Sequence, residues 1–503
     1  MTARLVSADS VITAKGRLGS GVLVEDDTVV AVGEAAHLRT AGIEELRHPG
    51  HVIVPGLVDT HIHPVAKAAL DAGPQVHDVA SITELVDRLR QAASDLPVAS
   101  PVVAQRFDEH RLEEGRLPTR LDLDAVDRPT LVYRLCGHVA VANTAALDAA
   151  GIGPNPPTVV GGNIDIDDLG RPTGVLREEA IGLVSSAMEG GTGPGPEGLA
   201  EALRRFRSEG LTRLGAILAP ESGLWCATGD ELGAAVALGN DLPLPLHVHV
   251  ATTDPVVLEA SKASIESAST PKLDFAGLKL FSDGSFGGGT AAMSDGRGIS
   301  RLRPERDLPL AQLALDLGGG VAIHAIGDAA ASDTLDLFEA LMDRGADPAR
   351  LRIEHASTLT DDLIERIALL GVGVGAQPAF VASDQGWLDD ALGEQARFAH
   401  RFGSLAAAGV AVGGGSDCPV EPASPLWGMR WARDRNGFHD TETVDGATAL
   451  GWWTDGAHRL LGLPAPLTAG SPADLTILSA DPTSTPAAQL SQLEVSTIIG
   501  GQP

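Results

Sequence analysis

Five apolar, strand-like runs in this 503-residue chain end in polar side chains, in the order His-x-His, Lys, His, His, Asp. They supply His61 and His63 in VIVPGLVDTHIHP, Lys279 in FAGLKLFSDGS, His324 in GGGVAIHAIGD, His355 in LRIEHAS and Asp417 in GVAVGGGSDCP. Neutral imidazole is a good ligand for zinc-class cations, and a carboxylate beside a metal-bound water can take its proton. Ligands gathered from separate strand ends would make a hydrolytic site.

Side chains at i and i+2 of a strand share a face, so His61 and His63 can converge on one ion. An HxH pair alone is weak, since His247 and His249 repeat the spacing in LPLHVHV with nothing diagnostic around them, and that pair reads as structural. His324 and His355 each end a separate apolar run, and four histidines in this order are hard to explain as satisfied core groups. Lys279 lies inside an apolar strand, where a bare ammonium is costly unless it is paired, neutralised or modified. Reaction with carbon dioxide would make it N6-carboxylysine, an anionic ligand able to bridge two cations; the alternative is an ion pair with Asp283, and the residues leave both open. Asp417 follows GGGS, where the backbone can pass close to a ligand. It could serve as ligand and general base, or simply cap a turn.

The elements that would position these residues are legible. Eight apolar strand candidates follow one another: 52–61, 211–218, 244–250, 275–281, 320–325, 351–356, 372–378 and 410–417. Helical patterns such as AASDTLDLFEALMDRG and TDDLIERIALLG separate the later ones. Alternating strand and helix predicts an α/β fold, a distorted (β/α)8 barrel, with active residues at strand ends. The interval after His63 is too long for one crossover and reads as a subdomain inserted at about 70–205, over the barrel mouth, where selectivity would reside. Short strands at both chain ends predict one composite β-sandwich, 1–56 plus 467–503, around a barrel domain 57–466.

Composition narrows the partners. A net charge of −30 argues against a phosphate-binding nucleic-acid face. The only lysines are Lys15, Lys67, Lys262, Lys272 and Lys279, so one inside an apolar strand stands out. Cys136, Cys226 and Cys418 are odd in number and far apart, implying neither a disulfide framework nor a Cys-type zinc site. No run suggests a signal peptide or membrane span, so a cytoplasmic protein with a small-molecule substrate is expected; a homodimer stays open.

The chain resembles the metal-dependent amidohydrolase superfamily, and most of all its branch related to N-substituted formamide deformylase. The resemblance is carried by GLVDTHIHP, CGHVAVANTAALDAAGI, GRPTGVLREEA, GLKLFSDGS, IHAIGDAA, RIEHAS, GSDCPVEPASPLWGM and GSPADLTIL, in that order. It implies a divalent metal, commonly zinc, one or two ions, and hydrolysis of a non-peptide amide-type C–N bond. It assigns ligation to His61, His63, His324 and His355, the fourth-strand role to Lys279, carboxylated if it bridges two ions, and the base to Asp417. One departure is AQRFDEHRL, with Phe107 where the family has Trp. His138 and Asn143 in GHVAVAN are candidate substrate contacts, as is Trp427 near the last strand. Ester or lactone hydrolysis, decarboxylation, or a non-catalytic binding role remain alternatives; a Ser or Cys nucleophile is disfavoured, with no G-x-S-x-G elbow present.

Overall fold

Eight short strands lie side by side in chain order, all parallel. They are β1 Leu57–Ile62, β2 Leu211–Leu218, β3 Leu246–Ala251, β4 Leu273–Phe281, β5 Gly320–Ala325, β6 Leu351–His355, β7 Gly373–Ala376 and β8 Ala411–Gly414. The last strand returns to the first: Thr60 Oγ1 donates to Gly414 O at 3.0 Å and the Asp417 N–H to His61 O at 2.8 Å. The computed structural model describes residues 3–97, 100–188, 194–221 and 229–498, so Cys226 lies outside the described residues.

Helices such as Pro255–Ser267, Pro304–Asp316, Asp328–Met342 and Asp361–Leu370 cover the sheet. Strand and helix together bury one large core that includes Leu214, Val248, Ile323, Leu335 and Ile353. With both faces covered, these strands read as near-continuous apolar runs, which is why they were visible in the sequence.

The first expected strand, 52–61, is divided. Glu44–Pro55 belongs to a six-stranded sheet made from both chain ends, and the barrel begins at Leu57. Gly56 makes the junction: a Cβ there would stand 2.3 Å from Thr212 Oγ1 and 2.9 Å from Asp474 Cβ, so only glycine passes. The end sheet joins Ala3–Thr13, Gly16–Glu25, Thr28–Gly33 and Glu44–Pro55 to Leu475–Leu478 and Val495–Ile498. Register shifts between Ser7 and Val11 let it bend around its own core of Val6, Val22, Ile53, Leu475 and Ile477.

The segment inserted after β1 carries a sheet of five strands, from Val102–Phe107 to Pro172–Glu178. Phe107 is fully buried in a separate apolar core beneath it. The departure from the family pattern at Phe107 therefore falls in subdomain packing. Among the described residues no helix is long and apolar enough to cross a membrane.

Candidate metal centre

The C-terminal ends of the strands converge on one buried cluster. Ligand atoms of His61, His355 and Asp417 all lie within 4.8 Å of one another. His63 Nε2 stands 3.1 Å from Asp417 Oδ1, and His61 Nε2 3.4 Å from the same oxygen. The His324 ring lies 4.6 Å from that of His355, centroid to centroid. Backbone conformation makes this possible. His355 and Ala356 adopt positive φ of 69° and 49°, which turns the end of β6. Asp417, at φ 54°, lies three residues beyond β8 in a loop tied to β1. Gly415 lets that loop approach, because a Cβ there would be 2.9 Å from His61 Cβ.

A second layer of polar groups, which sequence reasoning missed, holds the rings. Glu354 accepts a hydrogen bond from His61 Nδ1 at 2.7 Å and pairs with Arg352, whose other nitrogen donates to Thr60 O at 3.0 Å. His355 Nδ1 meets Gln377 Oε1 at 2.8 Å. His324 Nε2 is 2.8 Å from Gly284 O and 3.3 Å from Asp283, so Nδ1 is the nitrogen His324 has for a cation. Asp59 accepts the N–H groups of His61 and Ser416, locking β1 to the β8 loop. Such partners fix the orientation of metal-binding rings and their tautomers. The signal for Glu354 was adjacency to His355, but strict strand alternation puts neighbours on opposite faces and hid it.

Lys279 is only 1% exposed and its Nζ has no hydrogen-bond partner among the described residues. Asp283, the expected ion-pair alternative, instead accepts the backbone N–H groups of Ala292, Ile326 and Gly327. Burial pushes the Lys279 ammonium down to about 8, although the carboxylates of Glu354 and Asp417 pull the other way. Burial likewise lowers His63 to about 4 and takes His324 and His355 well below the ordinary imidazole range, leaving neutral donors. Burial works against charge at Asp417 too, but His61 and His63 outweigh it, so its carboxyl lies well below the usual range. Neutral imidazoles at His63, His324 and His355, an ionised carboxylate and a buried amine are a donor set that fits a divalent cation.

A cavity of about 340 Å³ opens above the cluster. His324, His355 and Asp417 form part of its floor, while Arg134, Cys136 and His138 from the inserted segment contribute a wall. His138 is fixed by Glu178 at 2.9 Å, and its ring lies 5.1 Å from that of His324. Phe380, stacked on His355 at 5.7 Å, and Trp387 supply apolar surface.

Two expected substrate contacts fall elsewhere. Asn143 caps the helix Thr144–Ala149: its Oδ1 accepts from Thr130 N and Ala146 N, and its Nδ2 donates to Val126 O and Arg128 O. Its amide is saturated and does not line the cavity. Trp427 packs edge-on against Trp431 at 5.6 Å beside the main core, and among the described residues the tryptophan lining the cavity is Trp387. The pair read as structural stays outside the cluster, with His247 Nδ1 2.7 Å from Asp274.

The family whose pattern matches residues 49–503 is described as the amidohydrolase family. The chain belongs to it. Over 525 aligned residues it is 30% identical to the Bacillus subtilis (strain 168) protein named amidohydrolase YtcJ, covering 97% of this chain and 96% of that one. It is 27% identical to N-substituted formamide deformylase of Arthrobacter pascens, covering 96% and 94%. A solved metal-dependent hydrolase of Pyrococcus horikoshii OT3 superposes with a TM-score of 0.76 at 25% identity, covering 97% of this chain and 99% of that one. The fold expected from the sequence and the family resemblance are thus both found, and the family is one of metal-dependent hydrolases.

Proposed function

We propose that this amidohydrolase cleaves the amide-type C–N bond of a small, non-peptide substrate, an N-acyl or N-formyl amine. The observation that carries the reading is the buried cluster of His61, His355 and Asp417, with Lys279, His63 and His324 beside it, under a cavity of ligand size whose lining includes His324, His355 and Asp417. His61, His63, His324, His355 and Asp417 would hold one or two zinc-class ions, with Lys279 as a carboxylated bridge when there are two. A bound ion of this class acidifies water toward a pKa of about 7 and polarises a carbonyl.

The protein's own groups do the rest. Asp417, ionised and next to His61 and His63, takes the proton of the attacking water and then passes it to the leaving nitrogen. Glu354 keeps His61 turned toward the cluster through its Nδ1 contact, and Gln377 does the same for His355. His138, held by Glu178, gives the substrate a polar contact, while Phe380 and Trp387 hold its apolar part and exclude water. The test is a panel of N-formyl amines, N-acyl amines, esters and lactones, assayed with protein loaded with zinc and bicarbonate. Amide turnover that is abolished by a chelator and restored by metal supports the reading. Metal-dependent turnover of esters or lactones alone would overturn it.

A further inference from the structure

A second cavity, of about 310 Å³, lies at the opposite end of the barrel from the metal centre. Its lining includes Asp274, Gly320, Leu351, Gly373 and Ala411, which stand at or next to the first residues of β4 to β8. The mechanism uses none of this space.

Three arginines and one buried histidine face it: Arg350, Arg352, Arg459 and His249. Arg350 is partly committed, with one nitrogen donating to Leu315 O and Gly319 O, the carbonyl end of a helix. Arg352 is 4% exposed; its Nε pairs with Glu354 and its Nη2 with Thr60 O, but its Nη1 is buried with no partner among the described residues. His249, also 4% exposed, has a buried Nδ1 with no partner among the described residues. Arg459 is exposed and makes no ion pair among the described residues. The one acid in the lining, Asp274, is turned to His247.

Unmet nitrogens this deeply buried are costly unless something accepts from them. Arg352 is balanced by Glu354, but in a chain of net charge −30 the guanidinium groups of Arg350 and Arg459 at one concavity concentrate positive potential where the surrounding surface repels anions. Guanidinium donors suit phosphate and carboxylate oxygens. We propose that this cavity is a second ligand site for a small oxyanion, held by the guanidinium groups of Arg350 and Arg459, with Arg352 and His249 in the wall behind them. The site is remote from the reacting cavity, yet Arg352 pairs with Glu354, which holds His61, so its ligand would lie two side chains from a metal-binding ring.

The experiment is calorimetric titration of the metal-loaded full chain with inorganic phosphate. The expected result is saturable binding that does not compete with a cavity substrate. Arg459→Glu should weaken it about tenfold or more, because an attractive charge becomes a repulsive one, and Arg459→Gln should weaken it less. Metal content should match the unsubstituted protein in both variants, which separates this outcome from any failure at the metal centre. No saturable binding would overturn the proposal. So would phosphate binding that is indifferent to Arg459→Glu, or that is displaced by substrate, since either would place the anion at the metals.

Discussion

Replacing Glu354 by Gln separates two effects that one buried carboxylate performs. Glu354 has no exposure, accepts from His61 Nδ1 at 2.7 Å and balances the charge of Arg352. Glutamine keeps the shape and one acceptor oxygen but removes the charge. Arg352 then remains buried with Thr60 O as its hydrogen-bond acceptor, and breaking one side of a buried pair costs about 3–5 kcal/mol. His61 loses its charged acceptor, and losing such a support typically lowers metal affinity by about 10–100-fold. That is about 1.4–2.8 kcal/mol of binding free energy. The two effects part company in the double variant Arg352→Met/Glu354→Gln. With both charges gone, most of the lost stability should return, while metal affinity stays low. Urea denaturation of the metal-stripped protein reads the first quantity, and competition with a chelator of known affinity reads the second. Wild-type stability together with wild-type metal affinity in Glu354→Gln would refute the reasoning. Recovery of metal affinity in the double variant would show that His61 does not depend on Glu354.

Other outcomes follow from the same geometry. Lys279→Ala should lose metal or activity and be partly rescued by a short carboxylic acid, which can take the place of a carbamate; unchanged metal stoichiometry and rate would sink the bridging role. Asn143→Ala should cost about 1–3 kcal/mol of stability through a lost cap and unsatisfied buried groups, with KM unchanged; a raised KM in a fully folded variant would return Asn143 to the substrate. Glu421 is buried and raised to about 7, mainly by burial, so between about pH 4.5 and 7 it is neutral in the folded state and ionised in the unfolded chain. Its contribution is present below the unfolded pKa of about 4.5 and is lost as pH rises toward 7. Glu421→Gln should therefore match wild type near pH 4 and exceed it in stability by up to about 3 kcal/mol above pH 7, read by denaturation across that range; a gap that does not change with pH would contradict this.

The site was legible where chemistry coincided with pattern. His61, His63, Lys279, His324 and His355 are polar residues in or directly beside apolar runs, and each run proved to be a strand of the barrel. Asp417 was legible through its glycine run, although it belongs to a loop past β8 and not to the strand itself. The supporting groups were not. Glu354 is separated from His355 by strand alternation until the positive φ at His355 bends the chain, and no local pattern announces a positive φ at a non-glycine residue. Gln377, Asp59 and Glu178 act through partners hundreds or tens of residues away, which a linear reading does not bring together. Asn143 looked like a binding residue because a capping asparagine and a substrate-binding one share the same short motif. Trp427 stands in a motif near the last strand, which makes it the visible candidate, whereas no periodic pattern around Trp387 places it at the cavity.

The most direct test of the central claim is turnover and metal content measured together in Asp417→Asn. The variant keeps the size of the side chain and an oxygen for the metal but cannot accept the water's proton. The expected result is a fall in kcat of about 10²–10⁴-fold with most of the metal still bound. Turnover at the wild-type rate, with metal retained, would contradict it.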